Sequence, residues 1–423
     1  MATSSHGRAI IPSSWSRHRP DFLGASQYVQ VRAPYASLDD LLSNGRRNAL
    51  VVATHQDDDV IGSGGTMKGL AEGVLYKPDN VNEDDWHMTL IEGQGFKWPY
   101  TKSQFASVQN ALAMSRSGKI LLNPLYEEPS NVVVVYVTNG AKFPETVKTD
   151  LHAAHPTLTQ AEILDYYSRL LGETHNLETL TKFFNQSRYH EALAALDIVG
   201  ASAAVFLEFD ENVDIRSGRS AVAAAVNIAE LIRQLQPAVV YTLSPFEIKH
   251  DVHIHTSDIT VAALRAALPF LGSKPLLRGY PVWNPFMVSE TVTQLEVVDT
   301  SQFFAYKTDA IHAHSLHGSQ GTFGFKRSYE EVMSTNGVNG AFVSSEMLMA
   351  LAQLDSFRAF YTRPRLPFGI QSAETFVPMD DLLEDSGRTL RGFVEDYFKL
   401  VAAKYPASII QGVPVLPGRI PVK

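Results

Sequence analysis

The sequence predicts an α/β fold in which a mostly parallel, doubly wound sheet carries helices on both faces. Short apolar runs rich in β-branched residues have the composition of buried parallel strands, and they alternate with helical segments. Polar residues follow directly after several of these runs. In open α/β sheets ligands bind beyond the carboxyl ends of the strands, so we expect the active site at that edge.

The composition is that of a globular protein with a large core. The chain has 423 residues, of which 45% are hydrophobic and 19% charged. The formal net charge is −9 and no segment is strongly basic, which argues against a nucleic-acid partner. The chain has no cysteine, so any metal must be held by His, Asp or Glu.

No targeting segment is evident in the sequence. The first residues lack the apolar core of a signal peptide, and no run approaches the ~18 apolar residues of a membrane span. We therefore predict no membrane span and a cytoplasmic location, with a Sec-independent export route as the alternative. The sequence does not determine the oligomeric state.

Changes in composition divide the chain into three parts. Residues 1–47 are rich in Ser, Pro and Arg and form an N-terminal extension with one short helix near its end. Residues 48–380 form the main domain, in which the irregular stretch of about 76–130 is an insertion. Residues 381–423 form a C-terminal helix and a Pro-rich tail.

The stretch from Ala49 to Gly65 is the centre of this arrangement. A buried-type strand ends in His55-Gln56-Asp57-Asp58-Asp59, and a glycine turn (Gly62, Gly64 and Gly65) leads to a helix from Thr66. The strand composition and the polar residues behind it place a site at this strand end.

The remaining elements continue the same alternation. Strands are predicted at 132–137, 203–206, 238–243 and 291–298, and helices at 219–235, 256–267 and 303–314, together with a helix that Gly200 ends. Strand 132–137 is followed by Thr138-Asn139-Gly140, and strand 238–243 by a polar loop that contains His250 and His253.

The strand-end loops contain a candidate metal site. His55 and Asp58 are three residues apart on one loop, so both can face one ion. His253 is the best third ligand, because it also follows a buried strand. A site of two histidines and one aspartate activates a bound water molecule.

Two further residues can carry proton transfer. Asp57 is adjacent to a ligand and can serve as general base, or its carboxylate can simply cap the loop. His250 can stabilise an oxyanion or protonate a leaving amine, or it can be a solvated loop residue.

Six ordered motifs resemble those of the PIG-L (LmbE-like) deacetylase family. His55 to Asp59 with the glycines resembles its HPDDE…GxGG signature, and Thr138-Asn139-Gly140 resembles its TxG turn. Arg188 and Glu191 resemble its RxxE helix, and His250-Asp-Val-His253 resembles its HPDH motif. The late elements Lys307…Ala310…His314 and Ala373-Glu374-Thr375-Phe376 resemble its KxxA…H and AExF segments.

This resemblance implies a Rossmann-like fold and a zinc-dependent hydrolase that removes an N-acyl, usually N-acetyl, group from an amino sugar or glycoconjugate. Zn²⁺, or another divalent metal, would be bound by His55, Asp58 and His253, with Asp57 and His250 catalytic. Arg188 matches a position that contacts substrate in some members. An ordinary ion pair on the helix surface is the alternative for Arg188.

The chain departs from the family pattern at two positions of the first motif. Gln56 replaces a proline and Asp59 replaces a glutamate. Two other functions stay open at this point. One is a carbohydrate-binding protein without catalysis on the same scaffold. The other is a non-haem iron oxygenase, which also uses two histidines and a carboxylate but usually on a β-sandwich.

Overall fold

The computed structural model describes residues 14–20, 27–73, 120–121, 128–140, 159, 162, 177–210, 215, 218–245, 251–280, 282, 295–300, 303–314 and 373–396. The predicted insertion at 76–130 is therefore described only at 120–121 and 128–130, and His250 lies outside the described residues. The predicted domain boundaries stay predictions.

Ten strands form one mixed sheet within the described part of the chain. They are β1 (Trp15–His18), β2 (Tyr28–Arg32), β3 (Asn48–Ala53), β4 (Ile120–Leu121), β5 (Asn131–Thr138), β6 (Ala203–Phe209), β7 (Val239–Leu243), β8 (Leu276–Tyr280), β9 (Leu295–Asp299) and β10 (Ala373–Pro378). Their order is β1-β2-β6-β5-β3-β7-β8-β10-β9-β4. The five central strands, β6 to β8 in this order, are all parallel.

The central strand β3 lies at a topological switch point. The chain leaves β3 to build β5 and β6 on one side, and then returns to build β7 and β8 on the other. Strands β5 and β7 both pair with β3 in parallel, so the loops after all three strands meet at one edge. Ligands bind at such a point in doubly wound sheets. The predicted α/β fold is confirmed.

Both faces of the central sheet are covered, as the β-branched composition of its strands predicts. Alternate residues of β3 contribute to different cores: Val51 packs in one cluster, and Leu50 and Val52 pack in the other. All three are fully buried. Parallel strands that are buried on both faces have near-continuous apolar sequences, which is why these strands could be located from sequence.

Seven α-helices have the following bounds within the described residues. They are α1 (Leu38–Leu42), α2 (Asp58–Glu72), α3 (Leu177–Val199), α4 (Gly218–Leu235), α5 (Asp251–Ala267), α6 (Phe304–Ala313) and α7 (Asp381–Glu384). Ser37 caps α1 by accepting the Asp40 N–H, which accounts for the short helix predicted near the end of the extension. Gly200 follows α3 with a φ of 82°, as predicted for a glycine that ends a helix.

Two helices begin earlier than predicted. Helix α2 begins at Asp58 rather than Thr66, so the three glycines lie inside it and do not form a separate turn. Helix α5 begins at Asp251 rather than Thr256, so His253 lies in its first turn and not on a loop. In both cases polar residues that are poor helix formers were interpreted as loop, whereas the fold uses them at the start of a helix.

Both ends of the described chain contribute to the body of the fold. Strands β1 and β2 come from the segment predicted as an extension, and β2 pairs with β6 in the sheet. Leu382 and Phe393 of the C-terminal segment lie in one of the two cores. None of the described helices has the length and hydropathy needed to span a membrane.

Candidate metal centre

Three predicted ligands converge at the carboxyl edge of the sheet. The Nδ1 atom of His55 lies 3.2 Å from Nε2 of His253, 198 residues away in the chain. Asp58 lies between them, with Oδ2 at 3.2 Å from His55 Nδ1 and Oδ1 at 3.4 Å from His253 Nε2. All three residues are buried, and together they form a group that could hold a metal ion.

The spacing of these atoms fits a small divalent cation. Ligand atoms at the usual zinc distances of a tetrahedral site lie about 3.3 Å apart. The 3.2 Å between His55 Nδ1 and His253 Nε2 and the 3.4 Å between His253 Nε2 and Asp58 Oδ1 are close to this value. The His55 backbone N–H donates to Asp58 Oδ2 at 2.8 Å. Asp58 Oδ1 is buried and has no hydrogen-bond partner among the described residues, so it can serve as the ligand atom.

The charge state of Asp58 also suits a ligand. Burial acts to raise the pKa of this carboxyl, but His253 and His55 outweigh burial and hold the pKa below its ordinary value. The carboxylate is therefore ionised at neutral pH, as metal binding requires.

Asp57 faces a buried arginine next to the ligands. Arg188 donates from Nη2 to Asp57 Oδ1 at 2.9 Å, and both side chains are almost fully buried. Asp57 occupies the position before the first residue of α2, but its side chain makes no capping hydrogen bond there. The loop-capping and surface-pair alternatives are therefore not what the structure shows: the carboxylate points to Arg188, inside the protein.

The turn after β5 supports this arrangement. Gln56, which replaces the family's proline, donates from Nε2 to the Thr138 carbonyl at 2.8 Å. Gly140 has a φ of 67°, and a Cβ atom there would lie 2.9 Å from both Arg188 Nη1 and Gln56 Oε1. The glycine therefore leaves the room that the Gln56 and Arg188 side chains occupy. An amide at position 56 thus links two strand-end loops that a proline side chain could not join by a hydrogen bond.

Asp59 has a different environment from its two neighbours. It is fully buried, and Tyr136 donates its hydroxyl to Asp59 Oδ2 at 3.0 Å. Burial raises the pKa of Asp59 well above its ordinary value, although the Tyr136 hydrogen bond opposes this shift. Three consecutive aspartates are therefore held in three different ways, and only Asp58 is among the three converging ligands.

One histidine near the site was not among the predicted site residues. His314 follows α6, is 2% exposed, and has an Nε2 atom without a hydrogen-bond partner among the described residues. Burial lowers the pKa of His314 to about 4, and the charges of Asp57, Arg188 and Asp58 also act on it. The KxxA…H resemblance is the sequence signal that could have brought it into the site.

One family model matches part of the sequence. Residues 118–264 match the family model described as PIG-L: GlcNAc-PI de-N-acetylase. The match includes Arg188, His250 and His253, and the His55 to Asp59 motif precedes it. The resemblance predicted from the motifs is confirmed over residues 118–264.

Several solved structures match the chain at low sequence identity. The N,N'-diacetylchitobiose deacetylase from Pyrococcus horikoshii is 14% identical, with a TM-score of 0.42 over 82% of this chain and 92% of that chain. GalB, the 4-carboxy-2-hydroxymuconate hydratase from Pseudomonas putida KT2440, is 15% identical, with a TM-score of 0.39 over 79% and 96%. A triple mutant of a deacetylase of the teicoplanin biosynthetic pathway is 16% identical, with a TM-score of 0.39 over 79% and 99%.

No curated protein matches the sequence. A likeness of fold leaves the reaction open, so the function is argued from the site itself.

Proposed function

We propose that this protein is a zinc-dependent N-deacetylase that removes an N-acyl group, in the first instance acetyl, from an amino sugar or glycoconjugate. The observation that carries the proposal is the convergence of His55, Asp58 and His253 beside the buried Asp57–Arg188 pair. The PIG-L family match supports this reaction class. Another divalent metal would satisfy the same ligands. A cytoplasmic location remains a prediction from the sequence.

The ligand set fits zinc by donor chemistry. Two imidazole nitrogens and one carboxylate oxygen form a three-ligand set that leaves a coordination position open, as in catalytic zinc sites. When bound, a zinc ion supplies Lewis-acid activation of a water molecule and polarises the scissile amide carbonyl.

Asp57 is the residue placed to move the proton. It adjoins the ligand Asp58 in sequence, and Arg188 holds one of its carboxylate oxygens at 2.9 Å. In this proposal Asp57 takes a proton from the attacking water and passes it to the departing amine. Arg188 orients the carboxylate and compensates its charge. The predicted contact of Arg188 with substrate remains part of the proposal. His250 remains proposed as the residue that stabilises the oxyanion.

Substitution of Asp57 with a matched control in the same motif tests the proposal. Purified protein should contain about one zinc ion per chain, and it should release acetate from N-acetylglucosamine conjugates. Asp57→Asn should retain zinc and lose hydrolysis by a factor of about 100 or more. Asp59→Asn should retain both, because an amide oxygen at this buried position can accept the same Tyr136 hydrogen bond.

Other outcomes would contradict the proposal. Undiminished turnover by zinc-loaded Asp57→Asn would overturn the role of the base. Tight sugar binding by zinc-loaded wild-type protein without acetate release would instead indicate a carbohydrate-binding protein, and oxygen uptake with bound iron would indicate an oxygenase.

A further inference from the structure

Helix α2 is bent between the metal centre and the rest of the fold. Its backbone is not helical at Ser63, where φ is −144° and ψ is 17°. The residues before this kink include the ligand Asp58, and those after it run on to Glu72. A bend of this kind leaves the first backbone N–H groups of the second half without partners inside the helix.

A carboxylate from the other end of the chain binds these N–H groups. Glu374, on β10, accepts from the Gly65 N–H with Oε1 at 2.9 Å and from the Thr66 N–H with Oε2 at 2.8 Å. A carboxylate at the start of a helical segment is also favoured by the helix dipole. Glu374 therefore caps the second half of α2 from 308 residues away.

The charge of Glu374 is balanced by Lys307 of α6. Lys307 Nζ donates to Glu374 Oε1 at 2.6 Å, and the two side chains are 1% and 0% exposed. We call Lys307 and Glu374 the anchor pair. Gly64 lies against it, and a Cβ atom at Gly64 would lie 3.2 Å from Lys307 Cγ. The anchor pair and the kink are thus packed directly against each other.

The first half of α2 is attached to the same kink. Ser63 donates its hydroxyl to the Asp59 carbonyl at 2.9 Å. Gly62 packs against the ring of Tyr280, whose hydroxyl donates to the Val52 carbonyl of β3 at 2.9 Å. The direction of the first turn, and so the placement of Asp58, therefore depends on where the kink is held.

We propose that Lys307 and Glu374 are positioning residues for the metal centre. By capping α2 at Gly65 and Thr66, the anchor pair fixes the kink and thereby the turn that presents Asp58 and Asp57. This inference rests on the proposed metal-dependent function. It assigns a role in metal affinity to two residues that do not belong to the ligand group.

The decisive measurement is the zinc affinity of Glu374→Gln, determined by competition with a chelator well below the unfolding temperature. Loss of the charged cap should weaken zinc binding by about tenfold or more, as for other residues that orient ligands. The kcat of the zinc-saturated variant should also fall, because Asp57 shares the displaced turn. A role in stability alone would lower the unfolding temperature and leave both quantities at wild-type values.

A second variant separates the loss of the backbone hydrogen bonds to Glu374 from the loss of its negative charge. Glu374→Asp keeps a carboxylate for Lys307 but withdraws it from the two N–H groups, so zinc affinity should fall while the protein stays folded. Asp380→Asn is the matched control. It breaks the Arg278–Asp380 ion pair, in which Nη1 and Oδ2 are 2.5 Å apart and which joins β8 to the segment after β10. This control should lower the unfolding temperature without changing zinc affinity.

The possible results distinguish the two proposals. Wild-type protein that neither binds zinc nor releases acetate would refute the proposed function before any variant is made. Active, zinc-binding wild type together with wild-type zinc affinity in both Glu374 variants would overturn the positioning role alone.

Discussion

The candidate metal centre and the anchor pair are both buried groups of polar and charged side chains, but they differ in how completely their hydrogen bonds are satisfied. In the anchor pair, Glu374 Oε1 accepts from Lys307 and Gly65, and Oε2 accepts from Thr66. In the metal centre, Asp58 Oδ1 has no hydrogen-bond partner among the described residues. A buried polar atom without a partner costs free energy.

This difference supports the proposal that the first group binds a cation, whereas the second serves the fold. Folding alone would favour a partner for Asp58 Oδ1, and a bound cation would supply one. The anchor pair needs no ligand, because its charges and acceptors are satisfied within the chain. The following substitutions test the two groups and then the packing and charges around them.

The largest effect, a loss of zinc affinity, is expected when Asp58 is substituted. Asp58→Asn replaces the charged ligand with a neutral amide, so zinc affinity should fall roughly a thousand-fold, or about 4 kcal/mol, as for the loss of one ligand of a zinc site. Chelator competition measures the change. Zinc affinity within tenfold of wild type would contradict the assigned ligand set.

The next effect is expected when the anchor pair is broken. Lys307→Met leaves Glu374 charged and unpaired in the interior, which should lower the free energy of unfolding of the metal-free protein by about 3–4 kcal/mol. Urea denaturation measures this quantity. The double variant Lys307→Met/Glu374→Gln removes both charges and should be more stable than the single variant. Equal stability of the two would show that the buried charge is not the cause.

Two glycines of α2, one on each side of the kink at Ser63, differ in the space available for a side chain. A Cβ atom at Gly62 would lie 2.1 Å from Cδ2 of the buried Tyr280 ring, whereas one at Gly64 would lie 3.2 Å from Lys307 Cγ. Gly62→Ala should therefore destabilise the protein by about 3 kcal/mol, at the upper end for an overpacked core. Gly64→Ala should cost clearly less, since a lysine stem can move. Thermal unfolding of both variants gives the comparison, and the reverse order would contradict it.

The smallest effect is a dependence of stability on pH. Burial lowers the pKa of His314 to about 4 from the 6.5 of an exposed histidine, so the unfolded state binds the proton more tightly. The contribution of neutral His314 to the free energy of unfolding is present above pH 6.5 and is lost as the pH falls toward 4. Between pH 7 and pH 5 the free energy of unfolding should therefore fall by about 2 kcal/mol.

The His314→Gln variant isolates this contribution. The difference in free energy of unfolding between wild type and variant should change with pH over that interval. A constant difference would show that His314 titrates normally and is not buried as the structure has it.

The fold class, and the convergence of the three predicted ligands at one sheet edge, could both be predicted from the sequence. The apolar runs at β3, β5, β6 and β7 mark strands buried on both faces, and parallel strands of this kind define a common carboxyl edge. Polar residues after those strands then have to share that edge, which is why His55, Asp58 and His253 could be assigned to one site.

Other features were beyond sequence reasoning. Strand β8 and the N-terminal strands β1 and β2 were not predicted, because polar residues interrupt the apolar sequence of each. These strands pair because of tertiary contacts, which override the weak β-propensity of their own sequences. The start of α2 at Asp58 was missed for a related reason, since three aspartates and three glycines oppose a helix unless packing supports them.

The sequence by itself determined the chemistry that is available: which side chains follow strand ends, and that metal ligands here must be histidine and carboxylate. Only the tertiary structure decided how three adjacent aspartates are used. Asp57 lies against Arg188, Asp58 lies between His55 and His253, and Asp59 lies under Tyr136. Residues that are adjacent in sequence differ here because each points in its own direction from the start of a helix. What each one meets comes from strands and helices that the chain reaches much later.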